Sequence, residues 1–456
     1  PAALENVVNG RRSIERIFKS GKTIYGINTG FGKLADTKVS PQEIDHLQLN
    51  LIRSHAVGTG SALAQDEARA VMAVRLNSLL RGNSGVRPEV VLKLKEFLNE
   101  RIYPIIPRYG SLGASGDLAP SAHLALCFVG EGFVFDKKGR KVETTKYLQR
   151  AGIKPLKLKA KEGLAIINGT QVMTGLACLI IHDAESVLSN LDIAGAMSLE
   201  ALGGSIVPFD SRVQKLRPLH GQMHVAARIQ KLVRDSALTE SGNRVQDPYS
   251  LRCMPQVHGA FYDSLQYSKS TIESELNSVT DNPIIFPETD EVLNSGNFHG
   301  QPIALAIDLL CIALAEASVF SERRIDKLLS GYSRRLPMFL SKKAGLNSGL
   351  MVTQYTAAAL VAESKILAKP ASLESASVSA GQEDHASMGV TAALKTRTVL
   401  EHAIVVIAIE MLCAAQALDL LGKVKIGQGT AAAHKEIRKI SNQVRDDRAL
   451  AEELQN

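Results

Sequence analysis

A glycine-rich segment contains three neighbouring residues that could do unusual chemistry: Ala114, Ser115 and Gly116. If the backbone bends tightly there, the Gly116 nitrogen can attack the Ala114 carbonyl, because glycine tolerates unusual dihedral angles and has no side chain in the way. Loss of two waters, one taking the Ser115 hydroxyl, would leave a five-membered ring with an exocyclic methylidene. That group is a strong electrophile, which no ordinary side chain supplies. The alternative is a plain glycine-rich turn before a helix, with Asp117 or Ser121 as its cap.

The whole segment, Gly110–Pro120, resembles the active-site loop of the aromatic amino acid ammonia-lyase family, in which the tripeptide becomes 4-methylidene-imidazol-5-one (MIO). Five more segments resemble family motifs and follow in the family's order: Tyr25–Gly32, Asn168–Thr170, Gln246–Gln256, Asn294–Gly300 and Gln382–Gly389. The resemblance runs from about residue 20 to about residue 425. It implies an enzyme that eliminates ammonia from an amino acid, with MIO formed from Ala114–Ser115–Gly116 and no external cofactor.

The family's reaction removes ammonia from the α-carbon and a weakly acidic proton from the β-carbon. Addition of the amine to the methylidene would make ammonia a better leaving group. In a rival scheme the substrate ring attacks instead and acidifies the β-hydrogens, and the sequence does not choose between the two. The resemblance makes Tyr25 the base, on a loop whose glycines permit closure. We expect the site to lower the pKa of this phenol, and we expect Tyr249 near the MIO, assisting proton handling or orientation. The alternative for each residue is a tyrosine that only packs against its neighbours and takes no part in the reaction.

Substrate binding is expected to use a guanidinium and two amides. Arg252 suits the substrate carboxylate, since its planar fork can bind both oxygens. Asn168 and Gln246 resemble the residues that hydrogen-bond the MIO oxygen or the carboxylate. Phe298 resembles an aromatic wall near the electrophile, although a core phenylalanine is an alternative. Asp117 could assist ring closure, and helix capping explains it as well.

Two positions indicate the substrate. The pair Ser54 and His55 is similar to the pair at this place in family members that act on histidine. Phenylalanine lyases of the family tend to carry Phe-Leu there, and tyrosine lyases His-Leu. Glu383 stands where lyases for phenylalanine and tyrosine usually have an amide. A carboxylate suits an imidazole, which can donate a hydrogen bond or become cationic, and does not suit a phenyl ring. Glu383 could also take part in catalysis as an acid or base. The resemblance therefore favours elimination from L-histidine to give urocanate; the alternative is a phenylalanine or tyrosine ammonia-lyase, or an aminomutase.

Resemblance also implies a homotetramer whose active sites each draw on three subunits, with a small amino acid as substrate. Such sharing would mean that Tyr25, Arg252 and Glu383 need not meet within one chain. His220 and His224 are four residues apart and could face one way on a helix, but no third ligand or H-E-x-x-H pattern accompanies them. We therefore expect no metal site.

Helices must position these residues, and the apolar pattern predicts a mainly α fold. Long helices are predicted at 176–202, 302–330 and 388–421, and helices of this length usually pack side by side in a bundle. Residues 41–101 read as shorter helices, and 133–142 as a hairpin. We predict two regions: 1–170, a smaller mixed region with the mobile tyrosine loop and the MIO loop, and 171–456, the long-helix bundle with C-terminal helices.

Composition is ordinary for a soluble globular protein. The 456 residues carry a formal charge of +7, with basic residues scattered and no nucleic-acid motif, so we expect no nucleic-acid partner. The five cysteines are far apart and include no C-x-x-C pair, which favours reduced thiols and a cytoplasmic location. We expect neither a signal peptide nor a membrane span, because the most apolar run, 403–409, is short.

Overall fold

The computed structural model describes residues 2–239 and 244–455, and 61% of it is helical. The helices are α1 Ala2–Lys19, α2 Ile44–His55, α3 Gln65–Leu79, α4 Pro88–Asn99, α5 Leu118–Phe128, α6 Thr144–Ala151, α7 Glu162–Ile167, α8 Gln171–Ala201, α9 Ser211–Lys215, α10 His220–Leu232, α11 Tyr249–Arg252, α12 Met254–Leu276, α13 Gln301–Leu329, α14 Met351–Leu367, α15 Gly389–Leu421, α16 Gln428–Ile440 and α17 Ala451–Gln455. The strands are β1 Thr59–Ala62, β2 Tyr103–Pro104, β3 Pro107–Tyr109, β4 Phe133–Phe135, β5 Lys141–Glu143, β6 Ile284–Phe286 and β7 Glu291–Leu293. The predicted mainly α class is confirmed.

The three predicted long helices are present with shifts of a few residues at their ends. Helices α8, α13 and α15 contain 31, 29 and 33 residues, well beyond the globular average. Glycines stop two of them, since Gly331 and Gly422 adopt positive φ just past their C-terminal ends. Helix α4 begins at Pro88 and buries Val90, Leu94 and Phe97, as its spacing predicted.

The chain divides into two compact units, and the first carries the strands. Unit 1 consists of residues 2–179, 269–308 and 370–394. Its small antiparallel sheets are β1–β3, β2–β4–β5 and β6–β7, and the pairing of β4 with β5 confirms the predicted hairpin. Within this unit α2 packs on α5 and α7, and α3 packs on α4. The rings of Phe97 and Phe128 meet edge to face at 5.0 Å in its core.

Unit 2 consists of residues 180–239, 244–268, 309–369 and 395–455. Its apolar core is a helical cluster that includes Leu199, Val225, Ile325 and Ile409. A charged network is buried in the same unit. Glu410 accepts hydrogen bonds from Ser198 and Ser321, and its Oε1 lies 2.6 Å from Nε of Arg324. Arg324 and Glu410 are both fully buried, so each charge depends on the other.

Each unit therefore gathers separate stretches of chain, whereas the sequence suggested two consecutive regions, 1–170 and 171–456. Unit 1 extends past residue 170 because the loops near Phe298 and Glu383 join the loop of Ser115 around common cavities. Those contacts connect residues hundreds of positions apart, which periodicity does not reveal.

Three helices, α8, α13 and α15, are long and apolar enough to cross a membrane by length and composition. The short run 403–409 lies inside α15, so its shortness does not by itself argue against a span. Between 61% and 67% of the residues in the most apolar stretches of these helices are buried inside the protein. Packing within the chain therefore accounts for much of their apolar composition.

Candidate active site

The tripeptide lies in unit 1, in the loop between β3 and α5. Gly116 adopts φ +76°, and a Cβ at this position would lie 2.3 Å from the carbonyl oxygen of Gly169. A side chain is therefore excluded both by the dihedral angle and by the approach of a second backbone segment. The amide of Asp117 donates to that same Gly169 oxygen at 2.8 Å. The backbone at Gly169 thus holds the C-terminal side of the tripeptide.

Asn168 holds the middle of the tripeptide. Its Nδ2 donates to the Ser115 carbonyl oxygen at 3.0 Å, and the residue is 4% exposed. Its Oδ1 is buried and has no hydrogen-bond partner within the described part of the chain. Buried amide oxygens are normally paired, so this acceptor is available to a donor that enters the site.

Asp117 is fully buried directly after the tripeptide. Its Oδ2 accepts hydrogen bonds from the amides of Val172 and Met173 at 2.8 and 2.9 Å, and its Oδ1 accepts from the hydroxyl of Ser111 at 3.1 Å. It therefore caps the N-terminus of α8, not of α5, where its side chain makes no cap bond. Burial raises the pKa of Asp117 to about 7, against the lowering effect of the two amides.

One cavity of about 660 Å³ brings together most of the predicted residues of unit 1. Its predicted lining residues are Tyr25, Ala114, Ser115, Asn168, Phe298 and Glu383. Ser115 is half-buried, so its side chain is reachable from this space. The cavity is large enough for an amino acid and presents both aromatic and carboxylate groups.

Tyr25 lies on the loop after α1, with its hydroxyl oxygen 3.4 Å from the donating amide of Gly32. The ring of Phe31 stands edge-on to it at 6.3 Å. Burial raises the pKa of the Tyr25 phenol, and the negative charges of Glu383 and Asp281 raise it further, while the Gly32 amide lowers it. The expected lowering of this pKa is thus wrong for the isolated chain, because desolvation and nearby carboxylates both oppose ionisation.

A second cavity, of about 420 Å³, reaches the tripeptide from another side. It is lined by His55 and Gly116, and shares Ala114, Ser115 and Glu383 with the first cavity. Nδ1 of His55 lies 2.8 Å from the Leu51 carbonyl oxygen, which cannot donate, so Nδ1 carries the hydrogen. In the neutral ring Nε2 is then an acceptor. His55 and Glu383, the two predicted specificity residues, therefore line one cavity.

Gln246, Tyr249 and Arg252 lie in unit 2, and their place at the site stays a prediction. Tyr249 is 68% exposed, and the Arg252 guanidinium stacks over its ring at 4.8 Å. Gln246 is exposed just before α11. Nε of Arg252 is buried without a hydrogen-bond partner among the residues that the structure describes.

Several residues of the first cavity were not singled out from the sequence. The rings of His299 and His385 stack at 5.4 Å, and His299 Nε2 donates to the carbonyl oxygen of His385 at 3.3 Å. Both belong to motifs quoted above, so the motifs could have indicated them. Asn282 also lines the cavity and lies outside every motif, so no sequence signal pointed to it.

The two histidines whose spacing could suit a metal pack against an aromatic ring in unit 2. His220 and His224 both lie against the ring of Tyr262, at centroid distances of 5.5 and 4.4 Å. Within residues 2–239 and 244–455, no group of three or more His, Cys, Asp or Glu side chains is arranged to hold a metal ion.

Comparison with known proteins identifies the family. Residues 1–439 match the family model described as aromatic amino acid lyase. The chain is 48% identical to the histidine ammonia-lyase of Caldanaerobacter subterraneus subsp. tengcongensis, over 98% of this chain and 88% of that relative. The crystal structure of histidine ammonia-lyase from Trypanosoma cruzi has a TM-score of 0.93 and 38% identity, covering 100% of this chain and 86% of that one. Tyrosine aminomutase from Streptomyces globisporus also has a TM-score of 0.93, at 39% identity, covering 99% and 90%. The chain therefore belongs to the aromatic amino acid lyase family, as its motifs predicted.

Proposed function

We propose that this protein is a histidine ammonia-lyase that converts L-histidine to urocanate and ammonia with an MIO group formed from Ala114–Ser115–Gly116. The observation that carries the proposal is the position of Ser115 on the wall shared by two cavities, one of which joins His55 and Glu383. The relatives named histidine ammonia-lyase, at 48% identity over nearly the whole chain, support the same substrate.

The residues around the tripeptide fit such a ring. Gly116 has no Cβ where the Gly169 oxygen approaches, Asn168 offers a buried Oδ1 without a partner, and Asp117 fixes the following backbone. Once formed, MIO supplies an electrophile that helps ammonia to leave. Whether the amine or the ring of the substrate attacks it stays open, since both would reach Ser115 through the same space.

Glu383 and His55 would select the imidazole ring. An imidazolium ring has two N–H groups, so one can donate to the Glu383 carboxylate and the other to Nε2 of His55, which is an acceptor when Nδ1 carries the hydrogen. A phenyl ring would leave both acceptors unpaired in a partly desolvated cavity, which disfavours phenylalanine. Phe298 would bound the first cavity beside the reacting carbons.

Tyr25 would remove the β-proton. Because burial raises the pKa of its phenol in the isolated chain, ionisation needs a positive charge close to the hydroxyl. We assign this charge to the cationic side of the complete site, where Arg252 binds the substrate carboxylate and Tyr249 and Gln246 orient the substrate. In a homotetramer with shared sites these three residues would come from neighbouring subunits.

An aminomutase is the second candidate function, because tyrosine aminomutase from Streptomyces globisporus matches the fold as well as the Trypanosoma cruzi lyase does. A phenylalanine or tyrosine ammonia-lyase is the third. The carboxylate at Glu383 argues against both, since neither a phenyl nor a phenol ring presents a basic nitrogen to it.

The proposed setting is a soluble, cytoplasmic homotetramer that acts on a small amino acid, without nucleic-acid or membrane partners. Support comes from the five cysteines, none of which forms a disulfide bond within the described residues; Cys127, Cys311 and Cys413 are buried. Burial of most of the apolar stretches of the long helices supports a non-membrane role.

The experiment combines intact mass with turnover. Wild-type protein should be two waters lighter than its sequence and should form urocanate from L-histidine, followed by ultraviolet absorbance, faster than it acts on L-phenylalanine or L-tyrosine. Ser115→Ala should lose both the mass change and nearly all activity, while Ser61→Ala, at an exposed serine on β1, should lose neither. An active wild-type protein of unchanged mass would refute the MIO proposal, and β-amino acid as the main product would favour the aminomutase.

A further inference from the structure

A group of charged side chains is buried in unit 1 beside the turn 168–170, which contacts the tripeptide. Arg75 on α3, Lys161 and Asp281 are all fully buried. Nζ of Lys161 lies 2.9 Å from Oδ2 of Asp281, and Nη2 of Arg75 lies 4.0 Å from the same oxygen. Lys161 and Asp281 form the closer pair, so Arg75 is a second cation whose main contacts must be sought elsewhere.

Those contacts are with α7 and with the turn 168–170 that follows it. Nη2 of Arg75 donates to the carbonyl oxygen of Ala165 in α7. Its Nη1 lies 2.8 Å from the point where a Cβ would stand on Gly169, and Oγ1 of Thr280 and Oε1 of Gln171 lie 2.7 and 2.8 Å from that point. Gly169, at φ +140°, is therefore packed against a guanidinium, a hydroxyl and an amide oxygen, with no room for a side chain.

Arg75 is under-used as a hydrogen-bond donor. Its Nε and Nη1 have no hydrogen-bond partner in the described part of the chain. Leaving a guanidinium buried with unpaired donors is unfavourable, and an apolar side chain of similar length would fill the space at less cost. A role beyond filling the core would explain why a guanidinium stands there.

The turn 168–170 contacts the backbone of the tripeptide directly, so a change in the turn would displace the tripeptide. The Gly169 oxygen accepts from the Asp117 amide and lies 2.3 Å from the point where a Cβ would stand on Gly116, while Asn168 Nδ2 donates to the Ser115 oxygen. Any shift of Gly169 would therefore move the backbone on both sides of the Gly116 nitrogen.

We propose that Arg75 is a positioning residue for ring closure. It packs against Gly169 and holds this residue in place, and Gly169 in turn holds the Gly116 nitrogen that attacks the Ala114 carbonyl. The inference rests on the proposed function. In the step, a bond forms between the Gly116 nitrogen and the Ala114 carbonyl carbon. The Ala114 oxygen leaves as water with the amide hydrogens of Ser115 and Gly116, and the Ser115 hydroxyl leaves as water with the Ser115 α-hydrogen. No oxidant or reductant is needed.

The test is the rate of ring closure in Arg75→Met, followed by intact mass after cell-free synthesis with timed acid quenching. Methionine keeps an unbranched side chain, although a shorter one, and leaves Lys161 and Asp281 as an ion pair with no net charge, which favours folding. We expect the two-water loss to slow at least about tenfold, the effect of losing one buried charged donor. Arg81→Met is the matched control, since exposed Arg81 also donates to a backbone carbonyl, that of Asn277.

Destabilisation is controlled separately. Leu94→Ala, in the buried face of α4, should destabilise the unit without touching the Gly169 turn, and should cyclise at the wild-type rate. At each time point the folded fraction is collected by size-exclusion chromatography before the acid quench, and the mass is read on that fraction. Should Arg75→Met yield no folded protein, Arg75→Lys decides by the same measurement, because lysine keeps the charge but cannot present a planar fork to Ala165 and Gly169.

The outcomes are distinct. Slow mass loss in the folded arginine variant with normal loss in both controls supports the role of Arg75. Mass loss at the wild-type rate in the folded arginine variant overturns it. If wild-type protein shows no mass loss, the proposed function itself has failed.

Discussion

The charge on Asp117 should make the protein less stable as pH rises, and the size of the effect follows from its surroundings. Burial raises the pKa of this carboxyl from 3.8 to about 7. Each tenfold change in proton affinity is worth about 1.4 kcal/mol, so the ionised form costs the folded state about 4 kcal/mol relative to the unfolded chain.

The sign follows from proton binding. Between about pH 4 and pH 7 folded Asp117 holds a proton that the unfolded chain has released, so the free energy of unfolding falls with rising pH. The contribution is fully present below the unfolded pKa of 3.8 and is lost once pH exceeds the folded value near 7. Between about pH 5.5 and pH 8.5 the loss is about 2 kcal/mol.

Asp117→Asn isolates this effect. An asparagine can place its oxygen where Oδ2 accepts from Val172 and Met173, and its amide nitrogen toward the Ser111 hydroxyl. The variant should fold and lose the part of the pH dependence that Asp117 causes. Urea unfolding of wild type, Asp117→Asn and the exposed control Asp66→Asn across this pH range gives the difference.

Two results would refute the reasoning. Parallel curves for wild type and Asp117→Asn would mean that the carboxyl titrates outside this range. If wild type instead gained stability with pH relative to the variant, the two amides and the N-terminus of α8 would outweigh desolvation, and the pKa would be depressed.

Three further predictions concern the site and unit 2. Tyr25→Phe should lower kcat about 100-fold or more while leaving the mass loss intact, because it removes the proposed base but leaves the proposed ring in place, and steady-state kinetics with intact mass would check this. Glu383→Gln should raise KM for L-histidine about tenfold and improve the relative turnover of L-phenylalanine, measured side by side; unchanged preference would count against the imidazole contact. Glu410→Ala should lower the free energy of unfolding by about 3–5 kcal/mol, because it leaves the buried charge of Arg324 uncompensated, and denaturant unfolding would show it.

The long helices and the family could be predicted from the sequence because both depend on local pattern. Apolar spacing and terminal glycines gave α13 and α15 to within a few residues. Six ordered motifs predicted the family, and through it several of the residues that line the two cavities of unit 1.

What the sequence did not reveal depends on tertiary contacts. Asp117 caps a helix that begins 54 residues later, and nothing near it distinguishes that role from capping α5. The pKa of Tyr25 moves in the direction opposite to expectation because burial and the carboxylates of Glu383 and Asp281 come from distant segments. Arg75 is one of several charged residues on α3, and its close approach to Gly169 exists only once α3 and the turn are packed.

These contacts indicate that the proposed cyclisation needs more than an Ala-Ser-Gly sequence. Ala114 and Gly116 are buried and their backbone is held by a turn more than 50 residues away, while Ser115 between them is half-buried and faces both cavities. Ring closure needs the outer residues fixed, whereas catalysis needs the middle one accessible, and a local turn cannot meet both needs. The loop 110–120 placed in another protein without the 168–173 segment should therefore stay an open peptide, because Gly116 would lose the backbone contact that restrains it.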